Sequence, residues 1–310
     1  MQKAFLQTLY DLAEEDRNVL MLSADNGIEF DKLFKRDFQQ QYIEFGIAEC
    51  NMVGAAAGLA SYGKIPFVHT ASNFLAYRAY EFIRNDVCVQ NANVKIVGFG
   101  SGLANSTLGP SHHSTEDIGV LYSLPNLTIL SVSSPLETEQ AIKEAYLIKG
   151  PVYIRIGLVG EPEIQENLPE NIFKKNNIIR DGGDVIVFST GSIISEVLAA
   201  ADLLQESGVS AKVINVNKIK PFHKESLIEV CAGISNIVTV EEHNVYGGLG
   251  SIIADIIVQE GIGGELLKIG LHDCFAKGYG TQYDVQNQNG LDRVGISESI
   301  LARLKTPNLA

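Results

Sequence analysis

Positive charge is in short supply in this 310-residue chain. Its 24 lysines and arginines face 37 aspartates and glutamates, a formal net charge of −13. Such an acidic surface repels phosphate backbones and anionic headgroups, which argues against nucleic acid and membrane as partners. Cysteine is scarce too. Cys50, Cys88, Cys231 and Cys274 are widely spaced with no Cys-x-x-Cys pair. That argues against a disulfide framework and a cysteine zinc site, and for a reducing compartment. No apolar run reaches the length of a membrane span, and Met1-Gln2-Lys3-Ala4-Phe5 opens an amphipathic helix rather than a signal sequence. The expectation is a cytoplasmic protein. What is present, 45% hydrophobic and 20% charged residues, is the composition of a soluble globular chain long enough for two domains.

Short apolar runs alternate with helical spacings. Ala4, Phe5, Leu9 and Leu12 recur at helical intervals. Strands are expected at 19–22, 42–44, 65–69, 94–99, 127–131 and 150–157. From 161 to 183 the chain turns polar and loses its period, which reads as a linker between domains at 1–160 and 184–310. Further strands are expected at 185–188, 211–215, 237–240 and 266–269, with a helix at 193–207 stopped by Gly208. Alternation of this kind implies largely parallel sheets, so the expected fold class is α/β: two three-layer αβα domains.

The chain is organised around residues 42–62. Tyr42-Ile43-Glu44 reads as a strand, Gly46 as a turn, and the rest as a helix whose residues 52–60 are almost all small or apolar. A helix without a polar face is expected to be buried all round. Yet Glu49 sits in its first turn. It is either an acid facing the positive end of the helix dipole, or a carboxyl buried so that its neutral form can bond a ligand nitrogen. Asp25 follows the strand 19–22, where open α/β sheets place ligands; an ordinary Asx turn is the other reading. Phe74, Tyr77 and Tyr80 cluster with Arg78, as core aromatics or as a face for a flat heterocycle. The loop 100–117 is long enough to be functional. Its His112 and His113 are adjacent and point apart, so they are not read as a metal pair.

The run Phe45-Gly46-Ile47-Ala48-Glu49-Cys50-Asn51 resembles the signature of the transketolase pyrimidine-binding domain. Deoxyxylulose-phosphate synthases and the beta subunits of 2-oxo-acid dehydrogenases share that domain. Gly109-Pro110-Ser111-His112 is similar to the Gly-Pro-Ser/Thr-His motif of transketolases, and Glu241-Glu242-His243-Asn244 with its following glycines resembles the matching motif of their C-terminal domains. The resemblance covers nearly the whole chain. It implies an enzyme that uses thiamine diphosphate and Mg2+ to pass a two-carbon ketol unit from a ketose to an aldose. In it Glu49 shares a proton with a pyrimidine nitrogen, and Phe74, or else Tyr77, stacks on the ring. Asp25 approaches the cofactor cleft. His112 faces the substrate, with His113 at the rim. Arg155 binds the substrate's terminal anion, with a structural arginine as the competing view. Arg78 resembles an arginine near the substrate in deoxyxylulose-phosphate synthases.

One more absence matters. Transketolases hold the diphosphate and magnesium through a Gly-Asp-Gly…Asn motif, and Gly-Asp-Gly occurs nowhere here. The expectation is a split enzyme: thiamine diphosphate is shared with an N-terminal transketolase subunit that also binds Mg2+. The assembly is an α2β2 heterotetramer or a homodimer of this chain. No metal ligand is assigned to this chain. Transketolases usually carry a histidine near Gly100 and an aspartate near Leu108. Both are replaced, which points to an unusual sugar. The alternatives are a 2-oxo-acid dehydrogenase beta subunit, a deoxyxylulose-phosphate-synthase-like carboligase, and a catalytically silent pairing subunit. Retention of Glu49, Phe74 and His112 speaks against the last.

Overall fold

The computed structural model describes residues 1–25, 28–158, 160–169 and 172–305, with the side chains of 28–31 left aside. Twelve strands are present among these residues. They are β1 (Val19–Ser23), β2 (Tyr42–Glu44), β3 (Ile65–Ala71), β4 (Lys95–Phe99), β5 (Thr128–Ser131), β6 (Val152–Arg155), β7 (Asn177–Arg180), β8 (Val185–Ser189), β9 (Ala211–Asn215), β10 (Lys218–Lys220), β11 (Asn236–Asn244) and β12 (Glu265–Leu271). They form a seven-stranded sheet, β10-β5-β6-β4-β3-β1-β2, and a five-stranded sheet, β12-β11-β8-β9-β7. Every pairing is parallel except the outermost pairs β10–β5 and β7–β9. The α/β fold expected from the strand–helix alternation is therefore present twice.

Parallel strands covered on both faces need continuous apolar runs, and β1, β4 and β8 are buried along their whole length. One face of the first sheet packs on the helix Gln2–Glu15 and the helix Pro135–Leu147 through Phe5, Leu9, Ala141 and Ile142. The other face carries Met52, Val53, Ile83 and Ile96. Its apolar cluster runs on without interruption into Ile186, Phe188, Ile214 and Ile253 of the second half.

Two short strands cross the expected boundaries. β7 lies inside the stretch read as linker and edges the second sheet. β10 leaves the second half and edges the first sheet, with Lys220 Nζ donating to the carbonyls of Tyr122, at 2.7 Å, and Leu124. A three- or four-residue edge strand with polar side chains carries too little periodicity to be read.

The small-residue helix, Glu49–Ser61, departs from expectation as well. It packs on β3 and on the turns 74–88 through one face only, burying Glu49, Met52, Val53 and Ala56. Asn51, Gly58 and Ser61 are not buried, and nothing lies within 4 Å of a Cβ built on Gly58. All-round burial is not reached within one chain.

Candidate active site

The carboxyl ends of β1 and β2 set the first wall. Gly46 takes φ +63, a conformation glycine adopts without strain, and turns the chain into the helix at Glu49. Glu44 ties that turn to the end of β1. Its carboxylate accepts from the Asp25 N–H at 3.1 Å, the Gly46 N–H at 2.9 Å and the Tyr42 hydroxyl at 2.6 Å. Burial alone would raise the Glu44 pKa; these three donors outweigh it and hold it below the ordinary value. Asp25 itself is exposed, at φ +51. Nothing in the sequence singled out Glu44, because Asp25 is brought to it only by the pairing of β1 with β2.

Glu49 is 2% exposed at the first residue of its helix. No side chain caps that helix. Instead the carboxylate accepts from Nη1 of Arg78, at 3.0 Å to Oε1 and 2.8 Å to Oε2. Arg78 comes from the segment Phe74–Arg78, which winds as a single π-helical turn, a form frequent at functional sites. The same guanidinium lies 4.8 Å from the centre of the Phe74 ring. His112 meets Phe74 edge-on at 5.1 Å and pairs through Nδ1 with Ser111 Oγ at 3.0 Å. The structure thus brings Glu49, Arg78, Phe74 and His112 into one cluster.

Tyr77 turns the other way. Its hydroxyl donates to Glu116 Oε2 at 2.9 Å and accepts from the Glu116 N–H at 3.0 Å. Burial, with Asp117 and Glu116 nearby, pushes its pKa far up. Tyr77 lines a cavity of about 640 Å³ together with Asn73, Tyr80, His113, Glu116 and Phe275. Glu49, Phe74, Arg78 and His112 do not line that cavity, although Asn73 and Ser111, their chain neighbours, do. His113 is buried on the cavity wall. Burial and the neighbouring His112 lower its pKa against the pull of Glu116. Among the described residues no group of three or more His, Cys, Asp or Glu is placed to hold a metal ion. Nor is any helix among them long and apolar enough to cross a membrane.

Arg155 is placed inside the fold, 3% exposed. Its Nε donates to Asp117 Oδ1 at 3.1 Å and Oδ2 at 2.8 Å. Its Nη2 donates to the Ser114 carbonyl at 3.1 Å and the Glu242 carbonyl at 3.3 Å. Tyr153 adds its hydroxyl to Asp117 at 2.8 Å. Burial alone would lower the Arg155 pKa, and Asp117 outweighs it. These partners, from the first half and from Glu242 of β11, are those that the competing view of a structural arginine asks for. The departure at Gly100 also has a physical cause. It sits at φ +69, where any other residue is strained, and a Cβ there would come within 2.1 Å of Asn105 Nδ2, so a histidine would have to displace that side chain.

Two mostly parallel α/β sheets in tandem, with a buried carboxylate at a helix start beside an aromatic face, define a tandem α/β protein with a candidate ligand site at the carboxyl edge of its first sheet. Residues 1–157 match the transketolase pyrimidine binding domain and residues 174–305 the transketolase C-terminal domain. The chain belongs to the transketolase family, as one subunit of a split transketolase. It is 36% identical over 269 residues to an apulose-4-phosphate transketolase subunit of Actinobacillus succinogenes, covering 87% of this chain and 86% of that one. It is 32% identical over 278 residues to a 6-deoxy-6-sulfo-D-fructose transketolase subunit of Clostridium sp. (strain MSTE9), covering 89% and 86%. A solved structure described as a split gene transketolase, inactive beta4 tetramer, superposes with a TM-score of 0.86 at 32% identity over 97% of both chains.

Proposed function

We propose that this chain supplies the pyrimidine half of a thiamine diphosphate site, and that a partner chain supplies the diphosphate and Mg2+ half. The observation that carries this is what Arg78 does. A flat, nitrogen-bearing group donates an N–H to the buried Glu49 and lies against the Phe74 ring. An aminopyrimidine ring asks for a similar pair of contacts, a carboxyl that shares its proton with the ring nitrogen and an aromatic face for its π system. Arg78 stands in its place, and its side chain is 48% exposed, free to swing towards solvent.

Thiamine diphosphate, when bound, supplies the nucleophilic carbon that takes up a two-carbon unit and hands it on. This chain's residues do the rest. Glu49, shielded from water, holds a proton against the pyrimidine nitrogen. Phe74 fixes the plane of the ring, and Asp25 borders the cleft at the end of β1. His112, at the edge of Phe74, moves protons on the substrate oxygens. Arg78, once displaced from Glu49, offers its guanidinium to an anionic end of the sugar, and His113 borders the neighbouring cavity. The relatives' named substrates, a sugar phosphate and a sulfo-sugar, carry such ends. The missing Gly-Asp-Gly motif and a relative described as an inactive tetramer of beta chains both support the need for a partner. The reading extends to an α2β2 assembly in the cytoplasm.

Calorimetry on the chain alone, and on the chain mixed with an N-terminal subunit carrying Gly-Asp-Gly…Asn, tests this. Tight Mg2+-dependent binding is expected only for the mixture, together with two-carbon transfer between sugars. Tight binding by the single chain would refute the split site. Turnover of a 2-oxo acid in place of a ketose would move the chain to the dehydrogenase-type alternative.

A further inference from the structure

The loop 102–115 carries both histidines, and its two ends are held from the other domain. It is closed on itself by paired hydrogen bonds between Gly102 and Ser114, at 3.1 and 2.9 Å. Around that closure, the carboxyl end of β11 reaches across. Glu242 Oε2 accepts from the Leu103 N–H at 3.3 Å. The Asn244 N–H donates to the Thr115 carbonyl at 2.7 Å. His243 Nε2 accepts from the Gly119 N–H at 3.3 Å, while its Nδ1 faces the Asn244 carbonyl at 2.7 Å. Three consecutive residues of the second sheet therefore bracket His112 and His113.

Glu242 is the centre of this bracket. It is 3% exposed. Its two oxygens also accept from Gln282 Nε2 at 2.8 and 3.0 Å and from Gln286 Nε2 at 2.7 Å, and its backbone carbonyl accepts from Arg155. Gly102 sits so close that a Cβ would come within 2.5 Å of Glu242 Oε2. A buried carboxylate met by donors from both a loop and a helix fixes its neighbours tightly. The adjacent Glu241 has a different task, accepting the Leu249 and Gly250 N–H groups at 2.7 and 2.8 Å at the start of the helix Leu249–Gln259, as the alternation along a strand allows. A purely internal role for the strand end would leave Glu242, like Glu241, bonded within its own domain.

We infer that Glu242 is a positioning residue: through Leu103 and Gly102 it fixes the loop that presents His112, so the second domain sets the geometry of a site carried by the first. This rests on the proposed role of His112 in the reaction. A misplaced proton-moving group is felt in turnover more than in binding.

The experiment has two arms. The first needs no activity. Hydrogen exchange at the amides of 102–115 in the full chain should quicken at least tenfold in Glu242→Ala, and return to near wild type in Glu242→Gln, whose partners Gln282 and Gln286 can flip their amides. The second uses the complex with its N-terminal subunit. Glu242→Ala should lower kcat about tenfold with KM little changed, and should have almost no further effect in a His112→Ala background. If Glu242→Ala does not fold, Glu242→Asp, which keeps the charge and withdraws it from Leu103, should give a smaller effect of the same pattern. Unchanged loop protection in a folded variant would overturn the inference. So would a kcat loss that simply multiplies with that of His112→Ala. A wild-type complex without two-carbon transfer would fail the functional reading instead, and leave the exchange arm to decide whether Glu242 holds the loop.

Discussion

Two buried carboxylates in the first half of the molecule are paired with arginines, and the two pairs are built differently. Asp117 and Arg155 are 0% and 3% exposed, and each has further hydrogen-bond partners. Glu49 is as deeply buried, but its arginine is half exposed and is the carboxylate's one hydrogen-bonding side chain among the described residues. A saturated pair has nothing left to offer a ligand. A buried carboxylate with a removable partner has. The contrast separates scaffold from site where residue type alone does not.

The sharpest way to break this contrast is to neutralise each pair. Glu49→Gln keeps the shape and removes the proton donor. Turnover of the assembled complex should fall about 10²–10⁴-fold, equivalent to roughly 3–5 kcal/mol, with the melting temperature little changed. Near-normal turnover with a lowered melting temperature would turn Glu49 into a helix-start acid. Arg155→Ala should do the opposite. It leaves Asp117 charged, buried and without its cation, at a cost of about 3–5 kcal/mol by denaturant titration, while the KM of the protein that still folds stays put. A rise in KM for anionic sugars at unchanged stability would restore Arg155 to the substrate.

A third carboxylate sits between these extremes. Glu137, at the start of the helix Pro135–Leu147, accepts from the Ser133 N–H at 2.7 Å and from Asn215 Nδ2 of β9 at 2.7 Å. Burial pushes its pKa up from 4.5 to about 7, with the Ser133 bonds pulling the other way. The folded chain therefore holds a proton that the unfolded chain releases near pH 4.5. Its contribution to stability is full below that pH and is lost as the pH rises towards 7. Denaturant titrations should record a loss on the order of 2 kcal/mol across that window, and Glu137→Gln should flatten the dependence. An unchanged slope in the variant would assign it to other groups.

The smallest effect is expected at Arg78. Its removal should cost on the order of 1 kcal/mol, because water enters where the half-exposed side chain lay and takes over part of its bond to the buried Glu49. In the assembled complex Arg78→Ala should tighten thiamine diphosphate binding a few-fold, since the ring then meets a vacant carboxylate. Weaker cofactor binding would show that Arg78 holds the ligand rather than its place.

Much of this was legible in the sequence, and the reason is local. The parallel sheets announce themselves through apolar runs such as 19–22 and 185–188. Glu49 stands out because its helix is otherwise small and apolar. Pairings were not legible. Arg155 reads equally well as an anion contact until Asp117 and the Glu242 carbonyl are seen beside it, and those lie 38 and 87 positions away. Glu44 and Glu242 looked like ordinary acids because the donors that mark them, the Asp25 and Leu103 N–H groups, arrive from beside another strand and from another domain.

The edge strand β10 carries a consequence for how the protein is made. β5 finds its outer neighbour only in Lys218–Lys220, after the whole of β6, β7, β8 and β9 has been read out. On the ribosome the first half therefore emerges with its β5 edge unpaired as well as that of β2, and an unpaired edge is a template for the wrong strand. The order of synthesis leaves the pyrimidine-binding half exposed to misassembly until its C-terminal neighbour arrives to close it.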